Sequence, residues 1–394
     1  MTLVLDKRAT RTPGTHAIII GVSAYPHLDA KPPQLSDILE GLKSLASPAD
    51  SARAFATWLA KTYSNPQAPI ATIDLLLSDK AGQGFTLDGS EKGPVDTADI
   101  SNIMDAALAW KARGDADPDG VMIFYFCGHG MSAGLRNALL ACDVGRYPAM
   151  PSTNAFDPDL LLAGMKTCNA AKQVFFFDAC RAANEELFKD FNQQMGGLVP
   201  AGGNANPAIA QAAFYSTRHG APAYGPTDGG ISVFTRILLK ALDGLAANEA
   251  EGSWRINTYD IAKALDHASG PLYDPDFGDM QTPALGTGAG FDLHFLKKAP
   301  VAPFYLLPRW HEGDAPPIDA AGVSVRRSRA PAPSDWSAPW AEDPAGAWSW
   351  GPDRFKGEVI AGAMCDASIL MTDGTVKELE PFYLSPPFRK FEVD

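Results

Sequence analysis

Five short apolar runs limit what this chain can fold into: His16–Val22 (HAIIIGV), Ile70–Leu77 (IATIDLLL), Val121–Phe126 (VMIFYF), Gln173–Phe177 (QVFFF) and Gln211–Tyr215 (QAAFY). Each is apolar almost throughout instead of alternating, as strands buried on both faces must be. Helical patterns lie between them. Ser47-Pro48-Ala49-Asp50 offers an N-cap, a proline at the first helical position and an early carboxylate, followed by an apolar stripe of Phe55, Trp58 and Leu59. Further helices are predicted from about Thr97 to Trp110, over Asp157–Cys168 and over Val233–Leu245. Strand and helix alternate, which reads as an α/β domain on a mostly parallel sheet flanked by helices.

The pattern changes at about Leu296. Eight prolines fall in the forty residues from Pro300 to Pro339, too dense for helices or central strands. Five of the eight tryptophans fall in the last 85 residues, so the segment is expected to pack and not to be a disordered tail. The expected division is a domain over residues 1–296 and a Pro/Trp-rich segment over 297–394. That segment should be irregular and end in a small β unit around Gly357–Leu370 and Thr375–Leu384.

Lys plus Arg is 33 and Asp plus Glu is 46, a formal charge of −13, which argues against a nucleic-acid or anionic-membrane partner. With 46% hydrophobic and 20% charged residues there is ample material for a core. Five Cys without regular spacing do not make a disulfide framework, and a reducing compartment is expected. The first residues lack a sustained apolar leader, and the longest apolar run, Val121 to Cys127, is only strand length. The expectation is a cytoplasmic protein.

Two of the apolar runs end in reactive residues. One reads VMIFYFCGHG, with His129 between Gly128 and Gly130; another reads QVFFFDACRA, ending at Cys180. In open α/β sheets ligands bind beyond the carboxyl ends of parallel strands, so the His and the Cys, 51 residues apart, would meet in one crevice. A thiol is a poor nucleophile until an imidazole takes or stabilises its proton. The amides of Gly130 and Cys180 would form an oxyanion hole. Zinc is the weaker alternative: Cys127, His129, Cys142 and Cys168 include no C-x2-C or H-x3-H pair, and Cys127 reads as core. Gly196, Gly197, Gly202 and Gly203 lack a phosphate loop's Lys-Ser/Thr and read as a flexible loop after the nucleophile. Arg181, Glu185 and Glu186 are expected to be solvated or locally paired.

These motifs resemble the caspase-like cysteine peptidases (caspases, metacaspases and paracaspases), in their bacterial type. The family signature Q-A-C-[RQG]-G, with its His about 50 residues upstream, is approximated by DACRA, with Asp178 in place of Gln and Ala182 in place of Gly. His16–Tyr25 (HAIIIGVSAY), Asp50-Ser51-Ala52, Gly229–Thr235 (GGISVFT) and Gln281-Thr282-Pro283 extend the likeness over about residues 15 to 295. The resemblance implies an endopeptidase with His129 and Cys180 as dyad, a protein or peptide substrate, and no cofactor or metal required for the chemistry. Calcium dependence stays open, since no D-x-D-x-D-G loop occurs. It also implies that Asp178 lines the primary pocket and selects Arg or Lys, with Asp50 as a second acid and Ser216–Gly225 as a further wall. Asp50 reads equally as a helix N-terminal acid. Arg218 would instead favour acidic substrates. Two other readings are an inert caspase-fold interaction protein and a peptidase serving one regulatory protein partner. Bacterial relatives act in signalling, stress or anti-phage defence. Finally, Val325–Ala330 (VRRSRA) is expected to be extended and accessible, hence a self-cleavage or cleft-occupying segment.

Overall fold

The computed structural model describes residues 2–8, 13–30, 39, 41–133, 136–147, 150–181, 195–218, 221, 223, 225–226, 229–270, 283–287, 290–308, 322–327, 349–350, 355–370 and 374–393. Residues 1–239 with 265–291 form one compact unit, and 240–264 with 292–394 form another.

The chain begins with β1 (Leu3–Asp6), β2 (Thr15–Val22), α1 (Pro26–Asp29), α2 (Pro48–Lys61) and β3 (Ile70–Ser78). A hairpin of β4 (Gly84–Leu87) and β5 (Ser90–Pro94) leads to β6 (Asp96–Thr97) and α3 (Ile100–Ala116). Next come β7 (Val121–Gly128), β8 (Gly130–Ala133), β9 (Arg136–Leu140), β10 (Ala155–Phe156) and α4 (Pro158–Met165). β11 (Lys172–Ala179), β12 (Ala210–Tyr215) and α5 (Val233–Lys240) follow. Then come β13 (Ala247–Ala250), β14 (Ser253–Asn257), α6 (Thr258–Ala268) and β15 (Ala284–Thr287).

The first unit is built on an eight-stranded sheet in the order β1-β3-β2-β7-β11-β12-β15, with β6 added beside β3. The five strands from β3 to β12 are parallel, and only the edges β1 and β15 run antiparallel. All five apolar runs are these inner strands. Both faces are covered. On one, the Phe55 ring of α2 lies 4.7 Å from Tyr125 and 5.7 Å from Phe176. On the other, Trp110 of α3 packs 6.0 Å from Phe124 and 6.2 Å from Phe175. Its indole N–H donates to the His16 carbonyl at 2.9 Å, so even this fully buried ring leaves no polar atom unpaired.

Helix ends follow side-chain chemistry, with one exception. Asp99 accepts the Asn102 N–H at the start of α3, and Asp157 accepts those of Asp159 and Leu160 at the start of α4. Ser47 makes no such bond at α2; Ser23, at the end of β2, takes the Ala49 N–H at 2.9 Å instead. The strand end therefore does what the sequence assigned to the helix's own serine. α5 stops at Lys240 and becomes a π turn, Ala241–Leu245, in which Gly244 has φ of 142°.

The second unit adds β16 (Asp292–Leu296) to β13 and β14, then continues through β17 (Val301–Pro308), β18 (Gly322–Arg327), β19 (Ser349–Trp350), β20 (Phe355–Ile360), β21 (Ala363–Leu370), β22 (Val376–Glu378), β23 (Phe382–Leu384) and β24 (Arg389–Val393). Two four-stranded sheets result, β19-β20-β17-β24 and β18-β21-β22 with β23 on β21. The proline density does not exclude an inner strand here, because β17 is one. Pro303 pairs only with Glu358 of β20; the β24 ladder begins at Phe304, so the missing N–H falls where one edge is still open. Arg326 and Arg327 pair with Asp366 and Cys365 of β21, so this part of the VRRSRA segment is extended but not free. Ser328–Ala330, Trp310, Trp336, Trp340, Trp348 and Gln281-Thr282 lie outside the described residues. Among the described residues no helix is long and apolar enough to cross a membrane.

Gly21 is where α2 comes closest to the sheet. A Cβ there would stand 2.6 Å from the Ala52 Cβ and 2.7 Å from the Pro48 carbonyl oxygen, the latter rigid backbone. Gly21→Ala is expected to cost about 1–3 kcal/mol. A urea titration reads this as a lower midpoint at unchanged m-value; an unshifted midpoint contradicts the packing described.

Candidate active site

β7 and β11 are neighbours, and their register pairs Val121 with Lys172 through to Gly128 with Ala179. The offset is 51 residues at every pair, the same as the separation of His129 and Cys180. The two residues therefore leave the sheet at one level, each one position past its strand. Gly130 lets them approach: a Cβ on it would lie 2.6 Å from the Cys180 carbonyl oxygen and 2.9 Å from the Ala179 Cβ. The backbones of Gly130 and Cys180 thus meet at the crevice.

His129 is buried and held on two sides. The Tyr25 hydroxyl accepts its backbone N–H at 2.8 Å and donates to the Leu140 carbonyl at 3.3 Å, while the two rings lie 4.8 Å apart. Its Nε2 lies 2.7 Å from the Lys43 carbonyl oxygen. A carbonyl only accepts, so Nε2 carries the proton and Nδ1 keeps its lone pair. Burial pulls the imidazole below its ordinary pKa, and the bond to Lys43 opposes this.

Cys180 is half-buried. The Ala223 N–H donates to its Sγ at 3.1 Å, and the thiol donates to the Ala223 carbonyl at 3.5 Å. No hydrogen bond among the described residues joins it to His129. Burial pushes the thiol up, with the Ala223 amide opposing. Both groups are therefore neutral at rest, not an ion pair.

Asp178 is enclosed, and its three hydrogen bonds all fall on Oδ2. They come from the hydroxyl of Ser232, the Thr235 hydroxyl at 2.8 Å and the Cys127 thiol at 3.4 Å. Oδ1 takes none from the described residues. Burial pushes this carboxyl up, against the Ser232 and Thr235 bonds. Asp50 belongs to the same wall. Its side chain is 47% exposed, pairs with Arg53 at 3.2 Å and accepts the Gly230 N–H at 3.2 Å. Ser51 takes the Ser232 N–H at 2.9 Å, so the two acids are joined through 230–232.

Ser216, expected on a pocket wall, lies fully buried. It accepts the Ala179 N–H at 3.1 Å and donates to the Ala179 carbonyl at 2.9 Å, so its hydroxyl secures the end of β11 and faces no open space. Arg181 is not solvated. Its guanidinium lies 4.2 Å from the centre of the Tyr215 ring and its Nε donates to Asn137 at 3.0 Å. Arg218 is exposed. The glycine-rich stretch is packed at its start, where Met195, Leu198 and Val199 are buried. Glu185, Glu186 and Ala182 lie outside the described residues. Tyr25, Ser232 and Thr235 carried a sequence signal only as members of HAIIIGVSAY and GGISVFT; the Lys43 carbonyl and the Ala223 peptide, being backbone, carried none.

The caspase-domain model of the C14 peptidase family matches residues 15–283. The uncharacterized protein y4kE of Sinorhizobium fredii is 27% identical over 248 residues, which span 61% of this chain and 70% of that one. The crystal structure of protein GSU0716 from Geobacter sulfurreducens aligns with a TM-score of 0.41 at 14% identity, over 72% of this chain and 97% of that one.

Two outcomes follow from the burial of these groups. Asp178 has its pKa raised in the folded chain, so it contributes stability below its unfolded pKa and loses it as pH rises through the folded value. Asp178→Asn keeps an oxygen for Ser232 and Thr235 without the ionisation. Its stability relative to the parent should therefore improve between pH 4 and pH 8 in urea titrations; a constant difference contradicts the burial of the charge. Alkylation of Cys180 by iodoacetamide, followed by mass spectrometry, should still be accelerating at pH 9, the thiol's ordinary pKa. A plateau by pH 7 would mean a resting thiolate.

Proposed function

This chain belongs to the caspase-domain family of peptidases, and we propose that it is a cysteine endopeptidase that cuts proteins after Arg or Lys with His129 and Cys180 as its dyad. The observation that supports this most is the parallel register of β7 and β11, which delivers one imidazole and one thiol to the same end of the sheet.

The chemistry runs from a neutral pair. Cys180 Sγ attacks the scissile carbonyl carbon while Nδ1 of His129 takes the thiol proton, and the Nε2–H bond to Lys43 supports the imidazolium that forms. The amides of Gly130 and Cys180 take the oxyanion. Collapse of the tetrahedral intermediate breaks the C–N bond, and His129 gives its proton to the leaving amine. Water, deprotonated by His129, then hydrolyses the thioester, releasing the acid and restoring the thiol. Since Ala223 holds the thiol at rest, substrate must displace that contact first.

Specificity rests on Asp178. An enclosed carboxylate with one oxygen that takes no bond from the described residues accepts a guanidinium or ammonium as a charge-assisted partner and repels an acid. Asp50 adds to the same wall. Arg181 is committed to Tyr215 and Asn137, which leaves Arg218 as the cation an acidic substrate would use. A second reading, an inert interaction protein, draws on the thiol's engagement with Ala223 instead of His129.

A positional-scanning peptide library with the full chain and with Cys180→Ala separates these readings. The expected result is cleavage after Arg and Lys that vanishes in Cys180→Ala. In Asp178→Asn, kcat/KM for Arg substrates should fall about a hundredfold, roughly 2.7 kcal/mol, while thiol alkylation persists. Cleavage after Asp that ignores Arg would falsify the pocket assignment and point to Arg218. A wild type that neither cleaves peptides nor labels with a thiol-reactive peptide probe is the inert protein.

A further inference from the structure

One peptide group lies between His129 and a carboxylate. The carbonyl of the Lys43–Ser44 peptide takes the Nε2 proton of His129 at 2.7 Å. The N–H of that same peptide donates to Oδ1 of Asp29 at 3.0 Å. Asp29 Oδ2 also accepts the Ser44 hydroxyl at 2.7 Å, and that hydroxyl oxygen accepts the Tyr25 N–H at 2.9 Å. On the far side, the Leu45 N–H donates to the Ser23 carbonyl at 2.8 Å. The Lys43–Ser44 peptide is therefore held at its N–H by Asp29 of α1, and the peptide that follows it by the end of β2.

We propose that Asp29 is a positioning residue for His129, acting through the Lys43–Ser44 peptide, so that carboxylate, peptide and imidazole form one aligned chain. The proposal rests on the peptidase reading for its kinetic consequence, though not for its structural one. A carboxylate on the N–H polarises the peptide and strengthens its carbonyl as an acceptor, since bonds in series reinforce one another. A neutral imidazole can carry its proton on either nitrogen, and the partner of one nitrogen decides the tautomer. An aligned Lys43 carbonyl keeps the proton on Nε2 and leaves Nδ1 free to take a proton from the thiol. Were that peptide to turn, Nδ1–H would become populated and the dyad would hold two donors facing each other.

The carboxylate is present whenever it is needed. Lys80, then the Ser44 amide and hydroxyl, hold the Asp29 carboxyl down at about 2. Lys80 itself, 2.6 Å from Asp29 but with a side chain 67% exposed, adds little to the geometry. The alignment is carried by Ser44 and not by the surface ion pair.

The test uses the full-length protein with 15N-labelled histidine, the His129 resonances being assigned by their loss in His129→Gln. The wild type is expected to show the Nε2–H tautomer. In Asp29→Ala a substantial fraction should move to Nδ1–H, and kcat for peptide cleavage should fall roughly ten- to a hundredfold with KM within about twofold. Asp29→Asn, which still offers an oxygen to the Ser44 N–H, should recover most of that loss; Lys80→Met should behave as wild type. Should Asp29→Ala fail to fold, Asp29→Asn decides alone: about a threefold loss of kcat at unchanged KM supports the relay, and wild-type kcat overturns it. An unchanged tautomer in Asp29→Ala overturns it as well, as does a kcat loss matched by loss of folded protein. If the wild type cleaves no peptide, the peptidase reading fails, and the tautomer shift still decides the role of Asp29.

Discussion

The register between β7 and β11 is the constraint on which the rest of the site depends. Side chains in a parallel pair alternate between two buried faces, so a slip of one residue would send every aromatic ring to the wrong side. Phe124 lies 6.0 Å from Phe175 and 5.7 Å from Phe177 on the face covered by α3. Phe176 and Phe214 stack at 5.5 Å on the face covered by α2. A slip of one residue would exchange the two sets of rings between the faces. They hold the offset of 51 residues against such a slip, and with it the level at which His129 and Cys180 leave the sheet. A reactive pair is thereby positioned by packing several residues away from it.

The inner strands could be read from the chain because continuous apolarity has one structural meaning in a sheet covered on both sides. His129 and Cys180 were readable because each follows such a run directly. What escaped is of a different kind. The Lys43 carbonyl and the Ala223 peptide act through backbone atoms that every residue possesses, so no residue type announces them. Ser216 was expected on an open wall and lies enclosed against Ala179, because orientation past a strand end depends on neighbours that only the fold supplies. Proline density misled for β17, since the cost of a missing N–H depends on whether a partner strand is present at that one position. Placements set by sequence neighbours were legible; those set by distant residues were not.

Burial acts on three groups at once: it raises the thiol of Cys180 and the carboxyl of Asp178, and lowers the imidazole of His129. Asp29, outside this enclosure and bonded to Lys80 and Ser44, goes the other way. The thiol and the imidazole are thereby held as a neutral donor and a neutral acceptor, with the Asp29 carboxylate one peptide group away from the imidazole.

The pairing of β18 with β21 has a consequence for the chain's own lifetime. Proteases bind segments whose backbone amides and carbonyls are free to form a new ladder, and along one edge of β18 these groups already pair with β21, where Arg326 faces Asp366 and Arg327 faces Cys365. A cleft that grips both edges of the segment must wait for β18 to leave its sheet. The rate is then governed by the free energy of that local opening, and the affinity of a cleft for arginine enters only afterwards. Basic residues in such a strand are thus shielded from any protease that favours them, and the small sheet serves as a timer whose setting is the stability of a few strand pairs.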